Sequence, residues 1–203
     1  MSLRSGDYGV VRLALLNTTL THIGSGKSIS HISVIEGRSI KTINNRISLA
    51  EHLNLISKFG SDVYLTEFGN AFISTIQETN SDSLNEFQTS LLGRFVTESP
   101  FFSAVTYTIL ALVETVFFLS KSNYPVPVEM IRIHFVTAVG KDSTWQTKRA
   151  KQTATYIYTN YSCELQFTVK INNHVYLTPK GIDALLLLHM NRSIKLIGSR
   201  QQD

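Results

Sequence analysis

The sequence predicts a mainly α-helical fold with short β-hairpins, an α+β protein in which one set of elements occurs twice. Apolar residues recur every three or four positions in most segments, as they do in amphipathic helices. Two pairs of short β-prone runs surround turn residues, at 60–62 and at 172–173, as hairpins require. Both hairpins end in the same four letters, "VYLT".

The first copy is predicted as three helices, a hairpin and a closing helix. Its helices cover residues 7–20, 28–36 and 39–53, followed by the hairpin "LISKFGSDVYLT" and the helix "EFGNAFISTIQ". Ser28 supplies a cap for the second helix. The spacing of four apolar residues predicts the buried face of the third helix: Ile40, Ile43, Ile47 and Ala50.

The second copy begins with an apolar helix over 101–120. A second helix follows in "YPVPVEMIRIHFV", with Pro127 early in it, where a missing N–H costs little. The third helix is predicted in "GKDSTWQTKRAKQTATYIYTNY", opened by Ser143 and Gln146 as a capping box. The hairpin "CELQFTVKINNHVYLT" and the helix "PKGIDALLLLHM" complete this copy.

The two hairpins continue alike, as "VYLTEFGNAFI" at 63–73 and "VYLTPKGIDAL" at 175–185. In each, the threonine is placed to cap the next helix, and a glycine follows three residues later. This agreement predicts an internal repeat of two units rather than a solenoid. The predicted domains are an N-terminal domain (1–76), an acidic linker and helix (77–100) and a C-terminal domain (101–203).

The order of three helices and a two-stranded wing, with "YLTxxG" after the wing, resembles the winged-helix (winged helix-turn-helix) domains of many prokaryotic transcription regulators. The resemblance covers most of the chain. It implies tandem winged-helix domains joined by a helical linker. It also implies that each third helix lies in the major groove of DNA and that each wing touches the backbone.

The outer face of the first copy's third helix carries candidate DNA-binding residues. They are Arg38, Lys41, Thr42, Asn44 and Asn45, with Lys58 in the wing. Asn and Arg can hydrogen-bond the edges of adenine and guanine, whereas Lys and Thr serve bases or phosphates. An ordinary solvated face is the alternative, but the absence of an acidic residue between Arg38 and Arg46 favours nucleic acid.

The third helix of the second copy is more basic. Its outward residues and wing residues are predicted as Thr144, Lys148, Arg149, Lys151, Gln152, Thr155, Lys170 and Asn172. Three positive charges within four residues suit phosphates, although a surface charge run is the alternative. Tyr156, Tyr158, Tyr161 and Phe167 suggest single-strand stacking, but packing against the hairpin accounts for most of them.

Catalysis has little support in the sequence. "GSGKS" is similar to a phosphate-binding loop, but Thr21 occupies the position of its first glycine and the preceding segment has helical spacing, so a turn is predicted. The single Cys163 excludes a disulfide framework, and the histidines lack metal-site spacing. We expect a non-enzymatic protein without cofactor or metal.

Residues 101–119 reach the minimum length of a membrane span. Glu114 and four hydroxyl-bearing residues weaken that interpretation, so a helix buried between domains or in a dimer seam is predicted instead. No signal-peptide pattern opens the sequence, which predicts a cytoplasmic, nucleoid-associated protein.

The net charge of +4 is unevenly distributed, at +2 over 1–76, −4 over 77–120 and +6 over 121–203. This asymmetry indicates a polyanion partner for the two ends. We expect a double-stranded DNA-binding protein, either a transcription regulator or the DNA-recognition component of a restriction or phage-defence assembly. A homodimer through the 84–120 helices is a further expectation. The alternative is a tandem winged-helix adaptor of a chromosome-condensing or other multiprotein complex.

Overall fold

Helices and short antiparallel hairpins make up the fold, as the sequence predicted. A computed structural model describes residues 10–60, 62–76, 83–140 and 145–199. After a 3-10 helix at Leu13–Leu15, the first half contains α1 (Leu16–Gly24), α2 (Ile29–Ile35), α3 (Ile40–His52), the strands β1 (Ile56–Phe59) and β2 (Asp62–Leu65), and α4 (Glu67–Ile73). β1 and β2 pair antiparallel as the predicted hairpin.

The second half begins with an additional helix and then repeats this order with one additional strand. It contains α5 (Glu86–Glu98), α6 (Ala104–Ser120), β3 (Val126–Pro127), α7 (Val128–Ala138), α8 (Lys148–Glu164), β4 (Thr168–Ile171), β5 (His174–Leu177) and α9 (Pro179–Ser199). The three strands form an antiparallel sheet in the order β3-β5-β4. Thus helix, helix, helix, hairpin, helix occurs twice.

The repeated threonine makes the same corner in both copies. The Thr66 hydroxyl donates to the carbonyl of Asn54 at 2.6 Å, and the Thr178 hydroxyl donates to the carbonyl of Gln166 at 2.6 Å. Each hydroxyl also accepts a hydrogen bond from the backbone N–H of the glycine three residues later, so it caps the next helix. Asn54 and Gln166 both have positive φ.

The glycines of this motif are required by close packing. A Cβ atom on Gly69 would clash with the carbonyl oxygen of Leu55, and one on Gly181 would clash with that of Phe167. The repeated motif is therefore a structural corner between hairpin and helix, and it is explained without any catalytic or binding role.

The predicted boundaries of two helices need correction. The first helix is predicted at 7–20, but a 3-10 turn precedes an α-helix over Leu16–Gly24. The second helix of the second copy begins only at Val128, because Val126 and Pro127 form the strand β3. β3 lies at the sheet edge, where a proline without an N–H donor is tolerated.

α8 also begins later than predicted. Thr147 is its N-cap, and its hydroxyl accepts a hydrogen bond from the backbone N–H of Ala150 at 3.0 Å. Gln146 precedes the helix, and Ser143 lies outside the described residues. The threonine serves as the cap because its hydroxyl satisfies one of the free N–H groups of the first turn.

α6 lies at the centre of the molecule, and most of its residues are buried. Its one charged residue, Glu114, is satisfied by Arg192 of α9 through two hydrogen bonds of 2.5 and 2.9 Å. Among the described helices, none combines the length and apolar character needed to cross a membrane. The predicted burial of this segment is confirmed, whereas a dimer through the 84–120 helices stays a prediction.

Hydrogen bonds at the 3-10 helix of the first half and at the start of α6 join the two halves. The carboxylate of Glu164, at the end of α8, accepts hydrogen bonds from the backbone N–H groups of Leu13 and Ala14 at 2.6 and 3.2 Å. Reciprocally, the Ser103 hydroxyl, before α6, donates to the carbonyl of His52 at the end of α3, at 2.8 Å. Buried apolar residues of both halves form one cluster, and the predicted domain boundaries stay predictions.

Candidate nucleic-acid interface

The first turn of α3 presents a basic surface. Arg38, Lys41 and Asn44 are exposed, and within the described residues neither cation has a carboxylate partner. The first turn of this helix contains no acidic residue. Thr42 is half-buried, and its hydroxyl lies 3.0 Å from that of the N-cap Ser39. The Thr42 side chain is therefore partly engaged in holding the helix start.

Three other residues of α3 behave differently from the prediction. Ile40 is predicted on the buried face but is 52% exposed. It is the first residue of α3, and the buried face of the helix starts one turn later, at Ile43. Asn45 is half-buried and has an interaction of its own within the chain. Arg46 is buried and forms an ion pair with Glu36, which no pattern in the sequence indicated.

The first wing offers less free charge than expected. The ammonium group of Lys58 lies 2.5 Å from a carboxylate oxygen of Glu51, and both side chains are partly exposed. Exposed pairs of this kind contribute only about 0.2–1 kcal/mol, so a phosphate can compete for the lysine. Phe59, at the tip of this wing, is 84% exposed.

The first turn of α8 carries the strongest basic cluster. Lys148 and Arg149 are exposed, and no acidic residue lies in this turn. Cations at a helix N-terminus oppose the helix dipole by about 0.3–1 kcal/mol each. Gln152 is exposed one turn later, whereas Lys151 is half-buried and has an interaction within the chain. Lys148 and Arg149 thus reduce the stability of the free protein, and a bound anion would reverse that effect.

One other predicted position in this region does not face outward as expected. Thr155 is buried, and its hydroxyl donates to the carbonyl of Lys151 at 2.9 Å. It is buried because the hairpin and α7 close over this side of α8. Thr144 lies outside the described residues.

The aromatic residues of α8 and the following hairpin separate into core and surface. Tyr158, Tyr161 and Phe167 are buried, as packing against the hairpin predicts, whereas Tyr156 is 50% exposed. Stacking of single-stranded bases needs several exposed rings, and this group supplies one.

The second wing is joined to α8 by a side-chain contact. Asn172 forms the hairpin turn with a φ of 54°, and the neighbouring Lys170 places its ammonium group 5.8 Å from the centroid of the Tyr156 ring. That distance fits a cation–π interaction. The structure therefore brings together three features that lie apart in the sequence: the wing, Gln152 and Tyr156.

These residues surround a cavity of about 360 Å³ between α7, α8 and the β4–β5 hairpin. Gln152 and Lys170 line it, and both are predicted site residues. Tyr156, which the sequence suggested only for base stacking, also lines it, as do Thr159 and Arg132, which no sequence pattern marked as site residues. An alignment of the two copies would have singled out Thr159, because Ile47 occupies its position in α3.

Two kinds of reactive group can be placed in the described residues: metal-ligating side chains and the Cys163 thiol. No group of three His, Cys, Asp or Glu side chains is arranged to hold a metal there. Burial raises the pKa of the Cys163 thiol, which disfavours the reactive thiolate. Burial likewise raises the pKa of the Glu164 carboxyl, whose hydrogen bonds hold the start of the first half.

Comparisons with protein-family models, with curated proteins and with solved structures found nothing that matches this chain.

Proposed function

We propose that the chain is a non-enzymatic protein that binds double-stranded DNA through two winged-helix units. In each unit the third helix, α3 or α8, approaches the major groove, and the hairpin lies on the adjacent backbone. The repeated element order supports this assignment, as does the edge strand β3 that extends the second hairpin. A role in transcription control, or in DNA recognition within a restriction or phage-defence assembly, is consistent with such binding.

One observation carries the proposal. Exposed cations lie at the starts of both helices, where the helix dipole disfavours them: Arg38 just before α3, Lys41 in its first turn, and Lys148 with Arg149 in the first turn of α8. Neither first turn contains an acidic residue. Among the described residues, no carboxylate pairs with Arg38, Lys41, Lys148 or Arg149. Phosphate groups suit such a position, because the free backbone N–H groups of a helix start and its cations attract the same anion.

The test is the salt dependence of binding to a random-sequence duplex. The slope of log K against log salt should become shallower by about 0.9 for each phosphate that the protein no longer neutralises. The double variant Lys148→Ala/Arg149→Ala should therefore lower the slope by about 2 relative to the wild type. The matched control is Arg94→Ala/Lys121→Ala, which removes two exposed cations elsewhere on the surface.

Two outcomes would contradict the proposal. A folded wild type that does not bind duplex DNA at low salt would exclude the DNA-binding function and favour the adaptor alternative, which needs no duplex. An equal reduction of slope in both double variants would show that net charge, and not the first turn of α8, determines the binding.

A further inference from the structure

The cavity between α7, α8 and the β4–β5 hairpin has the dimensions of a small-ligand site. Its volume of about 360 Å³ lies at the lower end of the range of about 300–1,000 Å³ that such sites span. Residues from three different elements converge on it. The equivalent region of the first copy shows which residues can occupy these positions when they serve the core.

α3 and α8 can be aligned residue by residue, because the segments that join them to the shared corner at Thr66 and Thr178 have equal length. In α3, Ile43 and Ile47 are buried and contribute to the core. Their counterparts in α8 are Thr155 and Thr159, which are also buried but line the cavity. The same helix face is thus apolar in one copy and polar in the other.

One of these two threonines has no partner. The Thr155 hydroxyl donates to a backbone carbonyl, but the buried Thr159 hydroxyl has no hydrogen-bond partner among the described residues. A buried hydroxyl left unpaired costs about 1–3 kcal/mol, whereas an isoleucine there, as at Ile47, would carry no such penalty. A hydroxyl at the wall of a cavity is explained if a ligand group completes its hydrogen bond.

The pairing of the wing lysine beside the cavity also differs from that of its counterpart in the first copy. Lys170 corresponds to Lys58, but the carboxylate that pairs with Lys58 belongs to Glu51, whose counterpart is Cys163. Lys170 therefore lacks that ion pair and lies over the Tyr156 ring instead.

The other charged residues of the lining largely cancel. The Arg132 guanidinium forms an ion pair with Glu129, one turn away on α7. Of the lysine and arginine side chains among the described lining residues, Lys170 is therefore the one that has no carboxylate partner. The cavity thus combines an available positive charge, an exposed aromatic face and an unpaired hydroxyl.

We propose that this cavity binds a small molecule in which an aromatic ring is joined to an anionic group. The ring lies against Tyr156, the anion binds the ammonium group of Lys170, and a polar atom of the ligand pairs with the Thr159 hydroxyl. Aromatic carboxylates and nucleoside monophosphates both have this chemistry, and both are small enough for the site.

Binding of such a molecule would compete with DNA. Gln152 and Lys170 belong both to the cavity and to the proposed DNA surface of the second unit, so the two ligands share contacts. This regulatory consequence rests on the proposed function, whereas ligand binding itself does not.

The experiment measures binding by the full-length chain without DNA, by calorimetry and by NMR shift changes at Tyr156 and Thr159. The probes are 4-hydroxybenzoate and adenosine monophosphate, with cyclohexanecarboxylate as an anion without an aromatic ring. We expect saturable binding of at least one aromatic probe and at least tenfold weaker binding of the non-aromatic acid. The aromatic probe that binds distinguishes the two sources.

Variants of two lining residues test whether the probe binds in this cavity. Lys170→Met should weaken binding at least tenfold, whereas the matched variant Lys58→Met, at the equivalent position of the first wing, should leave it unchanged. Thr159→Val, which keeps the shape of the side chain, should weaken binding several-fold while the fold is retained by circular dichroism. Failure of both aromatic probes to bind, or an equal response of the two lysine variants, would overturn the proposal.

A competition arm separates this inference from the proposed function. If the wild type binds duplex DNA, the aromatic probe should release it from the wild type at lower concentrations than from Lys170→Met. Probe binding by a chain that does not bind DNA would retain the ligand site and refute the DNA-binding function. DNA binding without any probe binding would refute the ligand site and leave the DNA-binding function standing.

Discussion

Replacing Arg46 by methionine should destabilise the protein far more than the removal of an ordinary surface ion pair. The guanidinium of Arg46 contacts the carboxylate of Glu36, and both side chains are less than a tenth exposed. It also donates to the Thr19 hydroxyl at 3.0 Å, and that hydroxyl donates to Glu36 at 2.8 Å. Removing the arginine leaves a buried carboxylate whose remaining side-chain partner among the described residues is the Thr19 hydroxyl.

The expected destabilisation is about 3–5 kcal/mol, the usual effect of leaving one member of a buried ion pair without its partner. For a chain of this size, each kcal/mol shifts the melting temperature by about 2–4 °C, so Arg46→Met should melt about 6–20 °C lower. The control is Arg94→Met, whose exposed pair with Glu98 should contribute about 0.5 kcal/mol or less.

Thermal and urea unfolding, followed by circular dichroism, measure both variants. The double variant Glu36→Gln/Arg46→Met should recover part of the missing stability, because it removes the unpaired charge as well as its partner. The reasoning is refuted if Arg46→Met and Arg94→Met are destabilised equally. It is also refuted if the double variant is less stable than Arg46→Met alone.

Three further predictions concern stability. Gly181→Ala should abolish cooperative folding or lower the melting temperature severely, because its Cβ would clash with the Phe167 carbonyl, whereas Gly93→Ala meets only a flexible lysine end and should be neutral or stabilising; thermal melts compare them. Burial raises the pKa of the Glu164 carboxyl above its ordinary value of 4.5, so the native state binds that proton more tightly than the unfolded chain does. The unfolding free energy of the wild type relative to Glu164→Gln should therefore decrease as the pH rises from about 4.5 through the native pKa, and urea titrations between pH 4 and 8 would contradict this if the difference were constant. Thr159→Val should raise the unfolding free energy in urea by about 1 kcal/mol without ligand, since it removes an unpaired buried hydroxyl, and a destabilised variant would show that the hydroxyl is paired.

Local sequence signals predicted the elements that depend on local contacts. Ser28 caps its helix as its position indicated, and both hairpins turn where Gly60 and Asn172 take up positive φ. The shared Leu-Thr ending predicted two equivalent corners. In these cases the hydrogen bonds that fix the structure join residues within a few positions of one another, so the sequence pattern contains the information.

The features that escaped prediction depend on distant contacts. β3 consists of two residues, and its pairing partner in β5 lies about fifty positions later, so no local pattern distinguishes it from a helix start. The ion pair between Glu36 and Arg46 requires α2 to pack against α3. The contact of Lys170 with Tyr156 similarly requires the hairpin to fold back over α8, and only then do these residues and Thr159 surround one cavity.

The divergence of the two copies bears on function independently of the DNA hypothesis. Both third helices run in the same register to an equivalent corner, so their residues can be compared position by position. The changes from Ile47 to Thr159 and from Glu51 to Cys163 each remove a stabilising feature, one an apolar contact and the other an ion pair with the wing lysine. Thr159 lines the cavity, and Cys163 leaves Lys170, which also lines it, without the ion pair that Lys58 has. An isoleucine and an ion pair at these two positions would serve stability, as they do in the first copy. A polar wall together with a released lysine is therefore better explained by a ligand that pairs with both than by neutral variation at two independent positions.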